Sequence, residues 1–123
     1  MPAYRLAAAA EADIRDLLAY SQSQFGALAR ERYEILLISG LRDLMADPMR
    51  VGGLAQPELG KNVRSHHLRH SRDRTRHEHG IVARPRHLIH YRLATTDLID
   101  IGRVLHDAME IERHLPADYS VGE

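Results

Sequence analysis

The sequence predicts an α+β fold: a two-helix N-terminal hairpin packed on a small antiparallel sheet, in the order β-α-α-β-β-β-α. Three observations carry this. Apolar residues recur at helical spacing in two consecutive segments between Ile14 and Leu44. From Val63 the period changes to two. The last two apolar runs are joined by a short polar turn, which makes them antiparallel neighbours. At 123 residues and 44% hydrophobic composition the chain suits one domain spanning residues 1–123.

Tyr4–Ala8 is short, begins with an aromatic and precedes a helical pattern; it reads as an edge strand. Ile14, Leu17, Leu18, Ser21 and Phe25 then follow the spacing of a helix with one buried stripe. Acids in its first turn favour the positive end of the helix dipole, and Gly26 is a natural stop. A second helix runs from about Ala27 to Ala46, with Tyr33, Leu37, Leu41 and Leu44 on one stripe and Leu36 and Ile38 widening it. Asp47-Pro48 ends it, because the residue before a proline avoids helical backbone. One glycine between two helices implies an antiparallel hairpin.

Pro48–Gly60, with Gly52-Gly53, Pro57 and Gly60, reads as a loop. Val63, Ser65 and His67 then alternate with Arg64, His66 and Leu68. Charge and Gly80 break the pattern over Ser71–Pro85, an insertion rich in Arg and His. It returns in Arg86–Leu93, with His87, Ile89, Tyr91 and Leu93 on one face. After a turn at Ala94–Asp97, Leu98–His106 places Ile99, Ile101, Arg103 and Leu105 on one face. Apolar residues on both faces of these last two strands make them central. Asp107 and Glu110 have capping-box spacing, predicting a short helix through about His114.

No run of about 18 apolar residues is present, so no membrane helix is expected. The acids at Glu11, Asp13 and Asp16 after a very short apolar stretch do not suit a signal peptide. With no cysteine, disulfides and thiolate metal sites are excluded, which fits a cytoplasmic protein. The net charge is zero but unevenly spread. Between Lys61 and Arg92, nine basic residues stand against Asp73 and Glu78, a surplus of seven that the rest of the chain balances. Seven of the nine histidines lie in the same block. It is either a landing site for an acidic partner, protein or nucleic acid, or a solvated loop.

His66, His67, His70, His77 and His79 match no zinc signature, and adjacent strand positions face opposite ways, so no metal and no cofactor are expected. Gly52-Gly53 lacks a phosphate-loop pattern, and no nucleophile elbow occurs. One Phe and five Tyr offer few stacking platforms, which disfavours dedicated single-strand binding.

The segment RHLIHYR at Arg86–Arg92, followed by DIGRVLHDAMEIERHL at Asp100–Leu115, resembles the signature of the ParE toxins, in the ParE/RelE superfamily. EADIRDLLAYSQSQFG at Glu11–Gly26 resembles that family's first helix, which typically ends in an aromatic-glycine pair. The resemblance runs from about Tyr4 to Leu115, and the Ser71–Pro85 insertion departs from it. It implies the toxin of a type II toxin–antitoxin module, a protein-binding inhibitor of DNA gyrase rather than an enzyme. It also implies a ParD-like antitoxin encoded alongside, whose C-terminal segment folds on binding, and contact with DNA only through that antitoxin.

By the same resemblance Tyr91, Arg92, Arg103 and His106 form the toxicity or target surface. Ile14, Leu18, Tyr33 and Leu37 lie at or beneath the antitoxin contact. The RelE relatives are ribosome-dependent ribonucleases, and under that alternative Arg64, His87, Arg103 and His106 are the catalytic candidates. A third alternative is a non-toxic relative that only stabilises or regulates its partner.

Overall fold

The structure, a computed structural model, describes residues 3–50, 53–57, 60–72, 82 and 84–108. Its elements are β1 (Ala3–Leu6), α1 (Ala8–Phe25), α2 (Ala27–Ala46), β2 (Leu54–Ala55), β3 (Val63–His67), β4 (His87–Thr95) and β5 (Leu98–His106). The expected C-terminal helix, with Glu110 of its capping box, and most of the Ser71–Pro85 insertion lie outside the described residues.

The helical hairpin turns on Gly26, whose φ of 94° is open to glycine and strained for other residues. Gly26 N–H closes α1 on the Gln22 carbonyl, and its own carbonyl accepts the Arg30 N–H of α2. Leu17, Leu18 and Ser21 of α1 are buried with Ala10, and Ile14 packs against that cluster. Phe25 is 72% exposed, contrary to the expected stripe. It lies on the stripe's face, but in the last turn of the helix it meets, among the aromatic rings of the described residues, the edge of Tyr20. In α2 the buried set is Leu36, Leu37, Gly40, Leu41, Asp43 and Leu44. Ile38 does not widen this stripe; it sits about 140° round the helix from its centre and faces outward.

The strands order as β1-β5-β4-β3-β2. β2 through β5 are antiparallel, and β1 pairs parallel with β5, so the sheet is mixed. Short connections constrain only sequential strands, and β1 has no sequential strand neighbour. The presumed loop after Pro48 supplies β2, whose Leu54 and Ala55 pair with Ser65 and Arg64. β4 and β5 join through a tight turn at Thr96-Asp97, where Asp97 N–H donates to Thr95 Oγ1.

One correction reshapes the platform. Tyr91 pairs with Ile101, but His90 pairs with Arg103, so Gly102 is an extra residue in β5. This β-bulge flips the alternation. Val104, opposite Ile89, enters the core with Ile99 and Ile101; Arg103 and Leu105 leave the face predicted for them. Leu36, Leu44, Leu68, Ile89, Tyr91 and Ile101 are fully buried between hairpin and sheet. Each aliphatic side chain of this size contributes roughly 1.5–3 kcal/mol by leaving water. Gly40 lets the short 3-10 turn at Leu68–His70 approach, since a Cβ there would meet Leu68 Cδ2 at 2.8 Å and Ile89 Cδ1 at 3.2 Å.

Candidate functional site

The bulge and the strand ends set the polar chemistry. Where β1 stops pairing with β5 at Ile101, Asp13 of α1 takes over: its carboxylate accepts Val104 N–H at 3.0 Å. It also receives Arg103 through Nε and Nη2, each at 2.7 Å. This fork-on-carboxylate pair raises the Arg103 pKa, chiefly through the hydrogen bond to Asp13.

His87 opens β4 directly opposite His106, the last residue of β5. Their rings meet edge to face at 5.5 Å. Tyr33 of α2 accepts the Arg86 N–H at 3.2 Å, which leaves its own hydroxyl proton to donate to His87 Nδ1 at 2.6 Å. That network assigns the His87 ring proton to Nε2. Burial lowers the His87 pKa to about 4, with His106 adding to the shift, so the imidazole is neutral at pH 7. Burial also raises Tyr33 to about 12. Ala108 N–H donates to His106 Nδ1 at 3.1 Å, so Nε2 is the nitrogen left to face a partner.

Beside the pair lies Asp107. It accepts Arg86 as a fork at 2.9 to 3.2 Å and His67 Nε2 at 3.2 Å. The Arg86 hydrogen bonds hold its pKa down to about 2. The predicted capping carboxylate is thus engaged by side chains of β3 and of the residue before β4.

Two clefts border the histidine pair, and both are lined by Leu17, Tyr20, His87 and His106. The smaller, about 260 Å³, adds Asp13, Asp16 and Arg103. The larger, about 520 Å³, adds Phe25, Arg32, Tyr33, Val82, Arg84 and Arg86. Two imidazoles among arginines suit proton transfer or the binding of an anion.

Of the four nuclease candidates, His87, Arg103 and His106 line one cleft and Arg64 does not. Arg64 Nε donates to Tyr91 Oη at 3.2 Å, four residues further along β4. Tyr91 is fully buried and its hydroxyl donates to the Pro48 carbonyl. Arg92 pairs with Asp100, as does Arg5 of β1. The presumed target surface of Tyr91, Arg92, Arg103 and His106 is therefore spread over the strands rather than gathered. Leu18 and Leu37 are buried in the core, while Ile14 and Tyr33 are half-buried at its rim.

Sequence reasoning did not reach Asp13, Tyr20, Arg86 or Asp107 as site residues. Nothing local marks Asp13, Arg86 or Asp107, because their hydrogen-bond partners lie 21 to 91 residues away. It also did not anticipate His90, fully buried with neither ring nitrogen hydrogen-bonded among the described residues. Burial lowers its pKa to about 4, with Arg103 adding.

No helix among the described residues is long and apolar enough to cross a membrane, and no group of three or more metal-ligating side chains occurs among them. No curated protein matches the sequence. Residues 4–111 match the family described as the ParE toxin of type II toxin-antitoxin system, parDE, a span that takes in both helices, all five strands and the histidine pair. The chain belongs to the ParE toxin family.

Proposed function

We propose that this type II toxin arrests growth by binding DNA gyrase, without catalysis of its own, and is neutralised by a ParD-like antitoxin. The observation that carries this reading is how the cationic candidates are engaged. Arg103 is clamped on Asp13, Arg92 on Asp100, and Arg64 on a buried tyrosine. A nuclease needs cations directed at a phosphate as charge develops, and these are directed at the protein's own groups.

Support for antitoxin contact comes from the hairpin and from β5. Ile14 and Tyr33 are half-exposed at the rim of the hairpin, over the buried Leu18 and Leu37. β1 covers β5 only as far as Ile101; beyond it Asp13 of α1 takes the Val104 N–H, and no strand neighbour follows on that edge among the described residues. An amphipathic helix across Ile14 and Tyr33, above Leu18 and Leu37, with a strand added along that edge, matches both features.

Expression without the neighbouring antitoxin frame should arrest growth and raise DNA-damage signalling, and purified chain should inhibit gyrase supercoiling while trapping cleaved DNA. Unimpaired growth together with unaffected supercoiling would refute the proposal. One observation favours the ribonuclease alternative: His87, Arg103 and His106 share the smaller cleft. Under it, His106→Ala and Arg103→Ala abolish mRNA cleavage in a translating extract.

A further inference from the structure

The larger cleft gathers three of the chain's six aromatic residues, Tyr20, Phe25 and Tyr33. Two of them are unusually open: Tyr20 is 62% exposed and Phe25 72%. Their rings meet edge to face at 6.5 Å and 80°, so the pair offers a broad aromatic surface to solvent. Arg32, Arg84 and Arg86 stand on the same cleft; Arg86 is already forked onto Asp107, and Arg84 is exposed. On its wall are His87, whose ring proton is assigned to Nε2, and His106, whose Nε2 is left to face a partner.

A volume of about 520 Å³ lies within the range of about 300–1,000 Å³ that encloses small ligands. The occupant such a cleft fits has a flat apolar face for the exposed rings and an anionic group for the guanidinium groups. It also has acceptor atoms for the imidazole N–H donors. An aliphatic acidic side chain supplies the charge but not the plane.

We propose that this cleft binds a nucleotide, its base stacked on Tyr20 with Phe25 against its edge, and its phosphate held by Arg84 beside His106. Base–aromatic stacking and arginine–phosphate pairing supply the two halves of the affinity. The inference does not depend on gyrase being the target. The same chemistry belongs to a free mononucleotide and to the 5′-phosphorylated end of a single strand.

The test is calorimetric titration of the full chain with adenosine 5′-monophosphate, adenosine, inorganic phosphate and a 5′-phosphorylated tetranucleotide. The mononucleotide should bind about tenfold more tightly than adenosine or phosphate, each of which lacks one half. Tyr20→Ala should weaken it about tenfold and Arg84→Ala about fivefold, with unchanged thermal midpoints because both side chains are exposed. Equal affinity for mononucleotide and tetranucleotide assigns the site to free nucleotide, and tighter tetranucleotide binding assigns it to a strand end. The proposal fails if neither binds at about 1 mM, if phosphate alone binds as well as the mononucleotide, or if Tyr20→Ala and Arg84→Ala both bind undiminished.

Discussion

Tyr91 and His87 share one face of β4, about 13 Å apart along the strand, and meet opposite surroundings. At Tyr91 the hairpin and the loop after Pro48 close over the ring, and both capacities of its hydroxyl are used, toward Pro48 and from Arg64. At His87 the sheet ends, Tyr33 satisfies one nitrogen, and the other side of the ring borders open clefts. Residue type does not separate these two positions, since both belong to the same sequence signature. The separation comes from what closes over the polar end of each side chain.

The largest test breaks the sealed end. Tyr91→Ala removes a fully buried ring and strips partners from Arg64 and the Pro48 carbonyl. It should cost about 3–5 kcal/mol in chemical denaturation, against about 1–2 kcal/mol for Tyr91→Phe. A Tyr91→Ala loss below about 1 kcal/mol would mean that this end is open and available to a target.

The distinction was only half legible in the sequence. Periodicity placed both helices, the β4–β5 hairpin and the helix-facing row of His87, Ile89, Tyr91 and Leu93, because each is a local pattern. It placed the second half of β5 on the wrong face, because one extra residue at Gly102 inverts a period of two and leaves no compositional trace. It missed β2, which is two residues long and held only by β3. The site divided likewise. His87 and His106 stood out through the family signature, whereas Asp13 and Asp107 acquire their roles through partners far along the chain.

A second test concerns His90, which lies between the two ends but on the other face of β4. His66, His87 and His90 each have a folded pKa near 4 against an ordinary value of 6.5, all chiefly through burial. Between those values the unfolded chain binds more protons, so stability falls as pH drops from about 6.5 toward 4 and is insensitive to these groups above that window. Each contributes at most about 1.4 kcal/mol per pH unit. His90→Leu should remove about one proton from that slope while leaving stability at pH 7 equal or slightly higher, since an unpartnered buried imidazole gives way to an apolar side chain. Denaturation midpoints measured from pH 4 to 8 decide it, and an unchanged slope would show that the ring is already protonated or solvated in the folded state.

The smallest effect is expected at the open end, and it sharpens the comparison most. Tyr33→Phe keeps the ring against His87 but deletes the hydroxyl that joins Arg86 N–H to His87 Nδ1. The stability loss should be about 1 kcal/mol, because water from the adjoining cleft can replace part of what is lost. The ring nitrogens carry the sharper readout. In the parent chain at pH 7, ¹⁵N shifts should report His87 protonated on Nε2 alone; in Tyr33→Phe the two tautomers should mix while the ring stays neutral, since its burial is unchanged. A parent His87 protonated on Nδ1 would reverse the direction of the Tyr33 hydrogen bond and turn an acceptor nitrogen, rather than an N–H donor, toward the clefts.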